Sequence, residues 1–288
     1  MGVMGLIMER DGPAGGYESV PLLIPGAVGD EQGSGVAVLR WRSARPSRRA
    51  VLYVHCLEDT FVPADLAAWY TERGFHFYAA DLRSVGAGEP APADGNRAAS
   101  ELNACFGCLD AAVTHLRAAD AIDTVVAAGH CAGAVITALW CHARRGSQPV
   151  DALIIASPDL GPAWPWLARP RPGRADGTSG RPASPLLASA QRRLRRGLEI
   201  ACPVLVMSQA GAGDAAGPAG RLLSLGTFGV LAGQRATVRL GEHVTWLTLD
   251  AGLPDSEPVT SPQRRRLFDE MGRWLGAYLS GQIRDQLL

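Results

Sequence analysis

Residues 123–140 read DTVVAAGHCAGAVITALW. Four of the first six, Val125 to Ala128, are apolar, as in a short buried strand over Asp123–Ala128. From Cys131 onward the run is Ala-rich, mostly apolar and free of proline, which predicts a helix over Cys131–Arg145. Between them, Gly129-His130-Cys131-Ala132-Gly133 fits the pattern G-x-nucleophile-x-G. In that pattern a sharp strand-to-helix turn lifts the central side chain above the sheet, and the flanking glycines leave room for the chain to fold back. The amides and positive dipole end of the following helix favour an anion at the central side chain, so Cys131 is expected to be partly thiolate. The N–H of Ala132 would be one oxyanion donor. A second would come from the loop after Ala50–His55, near Cys56 and Leu57. The alternative makes Cys131 a small half-buried residue in an inactive turn, because a nucleophile needs a partner base.

The same alternation of apolar runs and helical stretches extends both ways. Tyr17–Ile24 and Gly35–Trp41 read as an antiparallel opening pair joined by a Gly-rich turn. Ala50–His55 (AVLYVH) is a continuous apolar run, as expected of a strand buried on both faces. Pro63–Arg73 reads as a helix closed by Gly74, and Phe75–Ala80 as a strand with Asp81 at its end. A helix over Ala98–Ala119, strands at Ala152–Ala156, Val204–Ser208 and Val244–Leu249, and a helix over Gln263–Leu279 complete the series. Such alternation means α/β architecture: a mostly parallel central sheet with helices on both faces. Residues 161–190, rich in Pro, Gly, Arg and Ser, read as a short irregular insertion within one domain spanning 1–288.

Bulk properties narrow the function classes. The chain has 288 residues, 47% of them apolar, and zero formal net charge. Nothing in that balance favours nucleic acid or an anionic membrane surface. No apolar run reaches the ~18 residues that a membrane helix needs, and no basic-then-apolar leader opens the chain. The run Arg192, Arg193, Arg195, Arg196 reads as a solvated helix face. Six cysteines (56, 105, 108, 131, 141 and 202) in a chain of this kind are expected to be reduced thiols of a cytoplasmic protein. Cys105-Phe-Gly-Cys108 spells C-x-x-C, but inside a helical stretch. No metal-ligand spacing and no G-x-G-x-x-G after a strand occur, so neither metal nor cofactor is expected. Every basic residue other than histidine is arginine, which with abundant Ala, Gly and Pro points to a high-GC, actinobacterial genome.

The sequence resembles the lysophospholipase and monoacylglycerol-lipase-like branch of the α/β-hydrolases. The resemblance is carried by VLYVHCLEDTF, RGFHFYAADLRSVGAG, GHCAGAVITALW, VDALIIASPDL, GLEIACPVLVMS and FDEMGRWLGAYL. It implies the α/β-hydrolase fold, with residues 161–190 as a reduced lid. Three departures stand out. The family has His-Gly after its third strand, where this chain has His55-Cys56. Its elbow is Gly-His-Ser-x-Gly, and Cys131 replaces the serine. Its histidine follows the last strand in a segment like G-x-H-D, which here reads Gly252-Leu253-Pro254-Asp255. The family acid would fall at Asp214, or at Ala232 in another register. The resemblance therefore implies a degenerate catalytic triad.

A thiolate attacks without a base, but hydrolysis of the resulting thioester needs one. Candidates for proton transfer are His55 at the strand tip, Glu58 and Asp59 in the oxyanion loop, and Asp255. His55 also reads as a structural histidine bonded to loop backbone. Asp81 reads as the partner of Arg83, His130 as a residue pointing into the fold, and His243 as lying at the far end of the last strand. His76, His115 and His142 are given no role. Trp140, Trp164, Trp166 and Trp246 hint at a hydrophobic small-molecule or acyl substrate, though each also reads as core.

Three functions follow. The first is a non-hydrolytic lyase or cyclase that tailors a hydrophobic natural product, needing a base and an oxyanion hole but no nucleophile. The second is a Cys131-dependent thioesterase or acyltransferase. The third is a non-catalytic binding protein on a hydrolase scaffold.

Overall fold

The computed structural model describes residues 17–23, 35–55, 64–82, 97–156, 186, 189–190, 193, 198–209, 244–249 and 262–279. Eight strands form one sheet: β1 (Glu18–Leu23), β2 (Gly35–Trp41), β3 (Arg49–Val54), β4 (His76–Asp81), β5 (Thr124–His130), β6 (Ala152–Ala156), β7 (Val204–Gln209) and β8 (Val244–Leu249). Their order across the sheet is β1-β2-β4-β3-β5-β6-β7-β8. β1 and β2 are antiparallel, β2 joins β4 antiparallel, and every later pairing is parallel. The expected opening pair and parallel body are thus both present. Four helices are described in full: α1 (Ala64–Glu72), α2 (Arg97–Ala118), α3 (Ala132–Ala143) and α4 (Pro262–Leu279). Most of the insertion at 161–190 and of the Arg192–Arg196 run lies outside the described residues; within the insertion, Leu186 and Ala190 are helical and buried in the α2/α3 core, so its end is not irregular.

The two-residue period of a strand explains why β3 reads as continuously apolar. Ala50, Leu52 and Val54 face one core with α2 and α3, while Val51 and Tyr53 face the other with α1 and α4. β5 divides the same way, with Val125 and Ala127 on the α2/α3 side and Val126 and Ala128 on the α1/α4 side. A helix on each face leaves no side of the central strands in water. Among the described residues, no helix is long and apolar enough to cross a membrane.

Trp140 belongs to the α2/α3 core and not to a pocket. It is 0% exposed, and its indole Nε1 donates to Asp110 Oδ1 on α2 at 2.8 Å. Arg144 grips the same carboxylate through Nε and Nη2 at 3.0 and 2.7 Å, which pins α3 to α2. Trp164 and Trp166, and the side chain of Trp246, lie outside the described residues. The C-x-x-C cysteines sit on α2 with both side chains in the core. Burial pushes the Cys105 thiol up to about 12 and Cys108 to about 11, which removes the thiolate that redox or metal chemistry requires.

Asp120, just past α2, is the hub that fastens the antiparallel edge. Its carboxylate accepts hydrogen bonds from Arg40 Nη1 at 2.6 Å, Tyr78 Oη at 2.9 Å and Arg42 Nη2 at 3.3 Å, and His115 Nε2 lies 3.4 Å away. Arg40 also pairs with Glu18 on β1. Burial alone would raise the Asp120 carboxyl; the hydrogen bonds from Tyr78 and Arg40 and the nearby arginine charges outweigh it and hold it below its usual range. A carboxyl lowered on folding stabilises the fold above its unfolded pKa, and that share is lost as pH falls toward the lowered value. Asp120→Asn is therefore expected to cost about 2 kcal/mol at pH 7, from charge-assisted bonds made neutral. Urea unfolding should show the gap closing as pH drops below ~4.

His76, given no role on sequence grounds, has a structural one. Its Nδ1 accepts the Ser43 N–H at 3.0 Å, so Nε2 carries the proton that is donated to Ser47 O at 3.1 Å. Burial lowers its pKa, and the neutral ring fastens the 43–47 turn to β4.

Candidate active site

β5 runs through Gly129 and His130, further than its apolar run predicts, and the helix begins at Ala132 rather than Cys131. Cys131 is the hinge between them, with φ 54° and ψ −120°. A non-glycine residue at positive φ is uncommon, and holding one costs roughly 1–3 kcal/mol that the surrounding contacts must supply. Those contacts are visible. The Cys131 N–H donates to Ala156 O at the end of β6 at 3.1 Å. A Cβ on Gly129 would lie 2.6 Å from Ala134 Cα, and one on Gly133 would lie 2.2 Å from Val54 O and 2.5 Å from His55 O. Both glycines of the motif are thus required by the close approach of α3 to β5 and β3. Thr137 Oγ1 donates to Gly133 O at 2.7 Å within the first turns of α3.

The Cys131 side chain is half-buried and makes no capping hydrogen bond to α3, and the first turn of α3 holds no acidic residue. The amide of Ala132 opens the helix, at the position expected of an oxyanion donor. The tip of β3 lies beside the elbow, as the Gly133 contacts with Val54 and His55 show. Where the sequence suggests His55 as a neighbour of the nucleophile, the structure stacks the His55 ring on His130, with centroids 5.4 Å apart and planes at 15°. Tyr53 also lies against His55, at 5.9 Å. His130 therefore joins the cluster at the sheet edge.

Cys131 and Ala132 form the turn into α3, and the backbone of His55 lies against Gly133, two residues beyond Cys131. Cys56, Leu57, Glu58, Asp59, Asp255 and the triad-acid candidate Asp214 lie outside the described residues, as do Arg83 and His243. Asp81 ends β4, half-buried. The remaining described cysteines, 105, 108, 141 and 202, are buried. Burial and the neighbouring Cys202 push Cys141 well above the usual thiol range, and burial takes Cys202 to about 12.

The strand, elbow and helix fall inside a longer stretch of family likeness. The sequence profile described as Serine aminopeptidase, S33, matches residues 45–208. The chain belongs to this α/β-hydrolase family. The S33 match runs from the turn before β3 to β7, so it takes in the elbow and its neighbours. Among solved structures, the chain is similar in fold to Est1E from Butyrivibrio proteoclasticus, at 14% identity and a TM-score of 0.56, covering 91% of this chain and 99% of that one. It is also similar to esterase LipW from Mycobacterium marinum, at 18% and 0.55, covering 92% and 82%. The monoacylglycerol lipase of Paleococcus ferrophilus follows at 16% and 0.53, covering 84% and 99%. These likenesses show the α/β-hydrolase fold, shared with esterases and a monoacylglycerol lipase alike. No curated protein sequence matches the chain. In this S33 member the elbow residue is Cys131.

Proposed function

We propose that this chain is an acyl-transfer enzyme in which Cys131 carries the acyl group of a hydrophobic thioester or activated ester. The observation that supports this reading is the backbone at Cys131, held at φ 54° between two sterically required glycines. Strain of this kind presents a side chain to a ligand. A lyase or cyclase that used only a base and an oxyanion hole would be served as well by a relaxed glycine there, so the elbow favours the nucleophile over the non-hydrolytic reading.

The chemistry follows from sulfur. The Cys131 thiolate adds to the acyl carbon, and the carbonyl oxygen becomes an oxyanion facing the first amides of α3. The donor's thiol or alcohol leaves with the proton given up by Cys131. An acceptor thiol, alcohol, amine or water then attacks the enzyme thioester, returning its own proton and restoring Cys131. Exchange between thioesters is close to thermoneutral, whereas an unactivated oxygen ester lies downhill of the enzyme thioester, so activated donors suit the site best.

Intact-mass spectrometry after incubation with acyl thioesters of graded chain length tests the proposal. The expected result is one acyl adduct on the wild-type chain and none on Cys131→Ala. No adduct on a chain whose Cys131 is still readily alkylated would overturn it and direct attention to lyase or cyclase activity, with His55, Glu58 and Asp59 as the residues to vary.

A further inference from the structure

The parallel register makes a row of polar residues at the C-terminal edge of the sheet. Val54 pairs with Ala80 of β4 on one side and with Gly129 of β5 on the other. The next residue on each chain is Asp81, His55 and His130, so the three stand in sequence across neighbouring strands. Strand alternation directs them to the face of Tyr53, Ala79 and Ala128, covered by α1 and α4. The ring contacts of His55 with both Tyr53 and His130 bear this out. Cys131 directly follows His130.

Parallel imidazoles at this separation have one consequence. Two imidazolium cations stacked face to face repel, so a proton held by one ring disfavours a second on the other. A carboxylate on the neighbouring strand favours that single cation. Of the two helices that cover this face, α1 carries Asp65 in its first turn and Glu72 at its end, and α4 carries Arg265, Arg266, Asp269, Glu270 and Arg273. The buried run of α3 from Ala132 to Cys141 and strand β6 contribute none.

We infer that the row Asp81, His55 and His130 is the proton-handling group for Cys131: the histidine pair takes the thiol proton, and Asp81 steadies the resulting imidazolium. The S–H bond breaks, the proton moves to an imidazole nitrogen, and Cys131 becomes a thiolate beside a single positive charge. On acylation the imidazolium gives that proton to the departing thiol or alcohol; on transfer the neutral pair takes one from the acceptor. His55 and His130 are the proton carriers, and Asp81 is a positioning residue. The inference rests on the acyl-carrier reading of Cys131, but its test needs no acyl substrate.

The test is the rate of Cys131 alkylation by iodoacetamide against pH, read at the Cys131 peptide by mass spectrometry, for the wild type and for His55→Gln, His130→Gln and Asp81→Asn. The wild-type inflection is expected well below the free-thiol value of about 8.5. His55→Gln and His130→Gln should each raise it by about one unit, slowing alkylation about tenfold at pH 7. Asp81→Asn should raise it less. All three should share the wild-type plateau at high pH, where the thiolate forms unaided. A wild-type inflection at or above the free-thiol value overturns the inference without any variant, as does an inflection that neither histidine substitution moves. A variant that fails to fold reveals itself by rapid labelling of Cys141 and Cys202, and the wild-type profile then decides. Shifted inflections in a protein that accepts no acyl group would leave the proton-handling row standing and remove the acyl-transfer function. Acylation with unmoved inflections would do the reverse.

Discussion

Gly133→Ala is expected to abolish the native fold, or to destabilise it by more than about 4 kcal/mol. The added methyl would sit 2.2 Å from Val54 O and 2.5 Å from His55 O. Neither is the end of a flexible side chain. Both belong to the backbone where β3 leaves the centre of the sheet, flanked by β4 and β5. Relief requires α3 to lift from the sheet or the tip of β3 to give up its place, and either movement takes His55 away from the elbow. The stability loss should therefore come with loss of Cys131 chemistry even in any fraction that remains folded. Gly276→Ala is the control: a Cβ there meets no atom within 4 Å. A mid-helix alanine should be neutral or stabilising by about 0.5–1 kcal/mol. Chemical denaturation of the two variants side by side separates the steric requirement from any general intolerance of substitution.

Trp140→Ala should cost about 4 kcal/mol. The ring is completely enclosed between α3 and α2, and its removal leaves a cavity that the surrounding apolar side chains cannot fill without moving a helix. It also deprives Asp110 of one donor, though Arg144 still holds both carboxylate oxygens. Trp140→Phe divides the effect: most of the volume stays and the Nε1 donation is lost, so about 1–2 kcal/mol is expected. Because Trp140 lies about two turns beyond Gly133 on the same helix, the alanine variant should also loosen the elbow, read as faster exchange of the amides in the first turn of α3.

The segment around the elbow was readable because its information is local. A buried strand, a turn bracketed by Gly129 and Gly133, and an apolar helix follow one another between residues 123 and 140, and each leaves its own mark on the sequence. The alternating elements gave the α/β class for the same reason. What escaped depends on register and long-range pairing. Arg40 and Asp120 are 80 residues apart, and nothing in either neighbourhood names the other. Asp81 reads as a partner for Arg83, which lies outside the described residues, and nothing local shows that the β3–β4 register also sets it beside His55. His76, within an apolar strand, gives no local sign that the distant 43–47 turn supplies both of its hydrogen bonds. Trp140 reads equally as pocket or core, because a helix that is apolar all round does not reveal which of its faces meets another helix. For the candidate site, Cys131 and His55 were legible from motif and strand end. His130 reads as merely structural, because stacking between strand tips has no sequence signature.

The distribution of sulfur gives the molecule a built-in selectivity. Of the five described cysteines, four are enclosed in the core and held protonated, and only Cys131 stands half-open at a turn. Among the described cysteines, an electrophile or oxidant arriving from solvent therefore meets Cys131 first. The buried sulfurs of α2, α3 and the segment before β7, whose modification would disrupt the core, are shielded. Among the described sulfurs, chemical injury thus falls on the same atom through which the chain is proposed to act.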